Sequence, residues 1–434
     1  MLGLEALGYI EEEFLLGGTA TRYRHADGTG PTYDGHWQAE PAGTAPFETR
    51  FIVYRPKNPQ RFNGTVIVTW NNVTAGHDLF GADSAELFEG GYALVCLTTQ
   101  KAGVEGLPPV KQGLASWDPE RYGTLSIPGD DYSFDVLTQC ARVVGAERST
   151  QIDPLGGLDV RHVVAQGASQ SAGRLATYIN AIAPLTKAFD GYILTIYFGR
   201  GPLLEVGDEV VNINQRAEGT LTISQLKGEH LLRDDLGVPV FVVNSELEAI
   251  ACHDVRQPDS DTFRYWEVAG TSHTSLQSRI ARQMMIERDE LVSRGIDDLM
   301  NAVSMGPVYD SAYRYMHHWL AGEPPPVMPL IEFAGDPAEI VRDDSGIAIG
   351  GIRLPKVEAP LATHSAIPLA EDIFSLLGGS SHPFDIDIVT ARYGTRDRFL
   401  EEFASAANCA VEFGAIRQSD VEHMVEEARQ AWPA

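Results

Sequence analysis

Cysteine is scarce in this chain: four residues in 434, Cys96, Cys140, Cys252 and Cys409, with no Cys-x-x-Cys pair among them. That spacing excludes a disulfide framework or a zinc knuckle and leaves buried free thiols as the expectation. Cations are also in deficit. Thirty-three Lys and Arg face 60 Asp and Glu, a formal net charge of −27, which argues against nucleic acid and anionic membrane as partners. No apolar run reaches the length of a membrane span. The start, Met1-Leu2-Gly3-Leu4-Glu5-Ala6, has neither a basic region nor an export-length apolar stretch, so a cytoplasmic protein is expected. The sequons Asn63-Gly64-Thr65 and Asn72-Val73-Thr74 then carry no meaning. No Gly-x-Gly-x-x-Gly opens a helix after a strand, and neither a phosphate-loop motif nor His-Glu-x-x-His occurs, so neither cofactor nor metal is expected. His423 with Glu426 and Glu427 reads as a solvated helix face.

What the chain does have is apolar content, 44% of its residues, enough for a large core. Short apolar runs with little polar alternation stand at Phe51–Tyr54, Val66–Trp70, Ala93–Leu97, Tyr192–Tyr197, Val238–Val243 and Tyr265–Ala269. Runs of this kind are expected of strands covered on both faces. A helix is expected over Tyr132–Val144. Strands alternating with helices imply a doubly wound, mainly parallel sheet whose reactive groups gather beyond the strand C-terminal ends. The pattern divides the chain into an N-terminal segment (1–50), loosely patterned up to about Tyr33, a core (51–300) and a C-terminal extension (301–434) packed on it. Two stretches resist assignment. Residues 99–131, rich in Gly and Pro, read as a long substrate-facing loop. Residues 199–235, polar and acidic, read as a lid-like insertion.

The densest signal is His162-Val163-Val164-Ala165-Gln166-Gly167-Ala168-Ser169-Gln170-Ser171-Ala172-Gly173-Arg174. A strand enters a cluster of tiny residues, and a helix with an apolar stripe at Ala172, Leu175, Ala176 and Ile179 leaves it. Such a turn can hold a serine in a strained conformation with its hydroxyl lifted out of the fold. The residues two places to either side must be small. Ser169, between Gly167 and Ser171, satisfies this; so does Ser171, between Ser169 and Gly173. Ser169 lies directly off the strand with glycine on the crowded side and is the preferred nucleophile.

A serine hydroxyl needs a base, and the base needs an orienting carboxylate. His273 follows the last core strand in the loop Gly270-Thr271-Ser272-His273 and is the expected base. Beyond Val238–Val243 lies Asn244-Ser245-Glu246-Leu247-Glu248. Counting from Ser245 in the place a glycine often holds puts the carboxylate at Glu248, with Glu246 the alternate and Asp254 a third candidate. An oxyanion hole needs two N–H donors. Gln170, after the nucleophile, is one. Asn71, Asn72 or Val73, after the Val66–Trp70 strand, supplies the other, with Asn72 also able to donate through its side chain. His77 in that loop reads as a structural histidine. Trp117, Tyr122 and Tyr197 are candidate pocket aromatics.

Together with Trp70-Asn71-Asn72-Val73, Asp118-Pro119-Glu120-Arg121-Tyr122-Gly123, Pro128-Gly129-Asp130, Arg256-Gln257-Pro258-Asp259 running into Trp266–His273, and Gly350-Gly351-Ile352-Arg353-Leu354-Pro355, the turn resembles a large bacterial group of α/β-hydrolase domain proteins of esterase type. The resemblance spans nearly the whole chain and implies the α/β-hydrolase fold, with residues 301–434 a family-specific extension. It also implies ester hydrolysis through Ser169 and His273. Where that family commonly has Asp, this chain has Glu248. The expected activity is a serine carboxylic ester hydrolase working through an acyl-enzyme on a small to medium, moderately apolar ester. Lactone hydrolysis or acyl transfer could use the same three residues. A reading of a different class is a non-catalytic small-molecule binding protein on a hydrolase scaffold.

Overall fold

The computed structural model describes residues 3–79, 84–149, 151–205, 226–292, 296–368, 370 and 373–433. Eight strands form one sheet: β1 (Tyr9–His25), β2 (Ala39–Pro56), β3 (Thr65–Trp70), β4 (Ala93–Leu97), β5 (His162–Ala168), β6 (Gly191–Thr195), β7 (Val240–Ser245) and β8 (Phe263–Val268). They are ordered β1-β2-β4-β3-β5-β6-β7-β8. The β1–β2 and β2–β4 pairs are antiparallel and all later pairs parallel.

The two faces of the sheet follow from the two-residue period of a strand. Val66, Val68 and Trp70 of β3, with Ala93, Val95 and Leu97 of β4, join one core. That core is capped by the helix Ser133–Val144 and the helix after β5, Gln170–Thr177. Ile67, Leu94 and Cys96 point the other way, with Phe241, Val243 and Trp266. Their cover is the helix Gly306–Trp319, through Val308, Ala312 and Met316, together with Ala410, Ala415 and Ile416 near the C-terminus. Residues after 301 therefore supply most of the layer on that face, beside Leu87 and Phe88. They also lengthen the sheet edge: Ile352 donates to Glu267 O (2.7 Å) and accepts from Ala269 N–H (2.9 Å).

The first 50 residues depart from the loosely patterned segment expected. β1 pairs with β2 along its whole length, so most of this segment is sheet. It carries Glu11, Glu12 and Glu13 in succession, which suits an outer strand that must not recruit further strands but hides its alternation. The stretch 99–131 also contains short helices, at Lys101–Glu105, Leu114–Trp117 and Pro119–Tyr122. Of the expected insertion at 199–235, residues 206–225 lie outside the described residues. Its C-terminal flank runs back along the core, with Leu231 N–H on Tyr33 O and Leu232 N–H on Gln257 Oε1, both at 2.7 Å. Cys96, Cys140 and Cys252 are buried free thiols, while Cys409 is exposed. Among the described residues no helix is long and apolar enough to cross a membrane.

One buried group in the C-terminal layer makes stability depend on acid. His364 lies on the short strand Ala362–Ser365 with Nδ1 against Ser381 Oγ at 2.7 Å. Burial, helped by the Lys356 cation, pushes its imidazole down to about 3 from 6.5. A histidine depressed on folding contributes stability that is intact above pH 6.5 and is lost as pH falls toward 3, on the order of a few kcal/mol in all. Melting temperature measured between pH 7 and pH 4 should fall more steeply for the natural protein than for His364→Gln. Equal slopes would remove His364 from this account.

Candidate active site

The turn after β5 is closed by small residues. Ser169 has φ 59° and ψ −119°, a conformation that costs an L-residue about 1–3 kcal/mol. The surroundings hold it there: its N–H donates to Thr195 O and its C=O accepts from Gly173 N–H, both at 3.0 Å. A Cβ on Gly167 would lie 2.7 Å from Ser171 O, and one on Gly173 would lie 2.8 Å from Arg200 O. Ser171 is fully buried, and its Oγ bridges the N–H (3.0 Å) and C=O (2.9 Å) of Ala168. The turn thus keeps one serine partly exposed and spends the other on its own closure. Gln170 opens the helix, so its N–H has no carbonyl four residues back to take it up. Its side chain donates to Gln100 Oε1 at 3.0 Å. Gln100 in turn donates to Asp130 Oδ2 (2.8 Å), which also holds Arg174 (2.8 Å). Gln100, Asp130 and Arg174 are all buried, and they tie the helix to both ends of the 99–131 stretch.

The acid stands where the segment after β7 turns into a helix, Glu246–Cys252. Ser245 and Glu248 form a capping box, the Ser-x-x-Glu device that satisfies free N–H groups at a helix start. Both oxygens of Glu248 are engaged: Oε2 by the N–H (3.2 Å) and Oγ–H of Ser245, and Oε1 by His273 Nδ1 at 2.7 Å. Glu248 is fully buried and the His273 side chain nearly so. The Phe198 ring stacks on the imidazole, centroids 5.1 Å apart and planes inclined by 17°. With Nδ1 on Glu248, Nε2 is the ring nitrogen left over. Among the described residues neither Nε2 of His273 nor Oγ of Ser169 has a hydrogen-bond partner, so the two are not bonded to each other. That contact is often long in unliganded hydrolases and tightens with substrate.

The other candidates are placed elsewhere. Glu246 turns away from the imidazole and binds Gly270 N–H and Arg342. Asp254 is largely exposed and faces Lys227 and His253. Asn72, expected at the oxyanion hole, donates its backbone N–H to Leu79 O (3.1 Å) and a side-chain N–H to Ala168 O (3.1 Å). These bonds make it a tether between the β3 loop and the turn. Asn71 N–H is likewise taken, by Leu97 O at 3.2 Å. Among the described residues Val73 is the member of the three whose N–H has no acceptor. His77 is buried with Nδ1 against Asp78 O at 3.0 Å, and burial lowers its pKa.

The three aromatics form no common pocket. Tyr197 is enclosed in the core, Tyr122 packs with Val104, Leu114, Leu125 and Ile127, and Trp117 stacks on Tyr122 at 6.4 Å. Phe198 is not among the residues expected from sequence. Its position directly after the Tyr192–Tyr197 run, at the strand end where reactive groups gather, is the signal that could have found it.

Strand order, a serine turn after β5, an acid after β7 and a histidine after β8 define the α/β-hydrolase architecture. A sequence profile described as "Alpha/beta hydrolase domain" matches residues 2–426, and the chain belongs to that family. No curated protein matches significantly. Solved structures give distant similarities only. Esterase Est22 is 12% identical with a TM-score of 0.34, over 66% of this chain and 80% of its own. An esterase from the fungus Rhizomucor miehei is 13% identical with a TM-score of 0.30, over 65% and 83%. Brefeldin A esterase, a bacterial homologue of human hormone-sensitive lipase, is 15% identical with a TM-score of 0.25, over 55% and 63%. Likeness at this level says nothing of substrate.

Proposed function

We propose that the protein is a serine carboxylic ester hydrolase that needs no cofactor. Ser169 Oγ attacks the ester carbonyl while His273 Nε2 takes its proton. Glu248 holds the Nδ1–H and stabilises the imidazolium, and the oxyanion is received by the N–H groups of Gln170 and Val73. His273 returns the proton to the leaving alcohol, which departs and leaves an acyl group on Ser169. Water, deprotonated by His273, attacks the acyl-enzyme; the carboxylic acid leaves and Ser169 recovers its proton.

The observation that carries this reading is the buried 2.7 Å contact between Glu248 and His273. A solvated loop histidine has no need of an enclosed carboxylate, whereas a base that must become cationic during turnover does. The experiment is hydrolysis of short-chain p-nitrophenyl esters by the purified chain, with Ser169→Ala as control. Turnover that disappears in the control supports the reading. Absence of turnover by well-folded protein, with retained binding of small apolar molecules, would favour a non-catalytic binding protein instead.

A further inference from the structure

We infer that Glu246 is a positioning residue, the joint through which the C-terminal layer sets the loop that carries His273. The inference rests on His273 acting as the base, as proposed above. Glu246 and Glu248 are neighbours in one helical turn, and residues two apart on a helix point to different sides. Glu248 reaches the imidazole itself. Glu246 reaches the backbone of the same loop: its Oε2 accepts from Gly270 N–H at 2.8 Å, and its own N–H lies on Thr271 Oγ1 at 3.3 Å. One turn of helix thereby specifies both the direction of the ring and the place of the backbone behind it.

The other oxygen of Glu246 faces residues far along the chain. Oε1 accepts from Arg342 Nη2 (2.7 Å), Ala366 N–H (3.1 Å) and Ser365 Oγ (3.4 Å). The loop meets the same layer at further backbone groups. Gly270 O accepts from Asn301 Nδ2 (2.9 Å), which also bonds Ser365 O (3.1 Å). Thr274 N–H donates to Leu377 O (2.9 Å) and Leu276 N–H to Asn301 O (2.8 Å). Glu246 has no solvent exposure, so its charge depends on these partners, and Arg342 is the one cation among them. Without that cation an enclosed carboxylate is held by neutral donors alone, a buried charge left without its counter-ion. Gly270 N–H shares that carboxylate, so an adjustment of Glu246 is passed to the loop, and displacement of a base by about 1 Å is enough to slow chemistry strongly.

Arg342 is the position for the test, because its side chain is 22% exposed and touches no proposed reacting atom. Rates on a p-nitrophenyl ester are taken per active site, titrated with a serine-reactive phosphonate. Arg342→Ala should lower kcat at least tenfold with KM within twofold, and Arg342→Lys should recover most of the loss. Glu246→Gln should resemble Arg342→Ala, and the double variant should be no slower than the slower single. A second readout needs no turnover: the low-field Nδ1–H proton resonance of His273, identified by its loss in His273→Ala, should broaden or vanish in Arg342→Ala and persist in Arg342→Lys.

Wild-type kcat in Arg342→Ala with the resonance unchanged, whatever its melting temperature, overturns the inference. Multiplicative effects in the double variant do the same. Failure of the esterase reading is seen separately, as wild-type protein without turnover or a fully active Ser169→Ala; the positioning role then falls with it.

Discussion

Alanine at position 169 should reduce kcat/KM on a p-nitrophenyl ester by about 10,000-fold or more, leaving only what a preorganised site without its nucleophile retains. The fold should survive, because Ser169 Oγ has no protein partner among the described residues. Glycine at the same position should be equally inactive and more stable than alanine by about 1 kcal/mol, since φ 59° with ψ −119° is a region glycine enters without strain. Thermal unfolding of the two variants measures that difference. Ser171→Ala should behave in the opposite way. It leaves the part-buried N–H of Ala168 without its acceptor, though the C=O keeps Asn72 Nδ2, at a cost of about 1 kcal/mol, while turnover stays within about tenfold of wild type. A result with the two serines exchanged would move the nucleophile to position 171.

The second large effect belongs to Glu248. A glutamine there should lower kcat by about 1,000- to 10,000-fold with little change in KM, because an amide N–H facing Nδ1 selects the tautomer whose Nε2 is already protonated and cannot act as a base. The capping box at Ser245 loses its carboxylate as well, so melting temperature should drop by about one degree, as about 1 kcal/mol implies for a chain of this length. Glu246→Gln should also slow turnover, but far less, because it acts on the loop and not on the ring. Steady-state kinetics on the two glutamine variants, side by side, checks that order. If Glu246→Gln proved the more damaging, the orienting carboxylate would have been assigned to the wrong residue.

What is legible in the sequence is whatever depends on neighbours along the chain. Val66–Trp70 and Ala93–Leu97 announce themselves because both of their faces are buried, so every position is apolar or small. The turn at Gly167–Gly173 is legible because the crossing of strand and helix forbids a Cβ at Gly167 and Gly173, and a run of such residues is rare by chance. Glu248 is legible as a candidate because it stands three residues after Ser245, which occupies the place a glycine often holds beyond the Val238–Val243 strand. β1 is hidden by Glu11, Glu12 and Glu13, since an outer strand needs no continuous apolar run. Gln100 and Arg342 are not legible, because each acts through a contact made only after folding; Arg342 meets Glu246 across 96 positions of sequence. Asn72 stands out for its chemistry, and only the fold shows that its backbone N–H is taken by Leu79 and a side-chain N–H by Ala168.

The most direct measurement is the site of covalent labelling. The native protein is treated with a fluorophosphonate, digested, and the modified peptide located by mass spectrometry. The expected result is one equivalent of adduct, on Ser169, with labelling at least about 100-fold slower in His273→Ala. Adduct on Ser171 or another residue, or equal labelling rates with and without His273, would contradict the account.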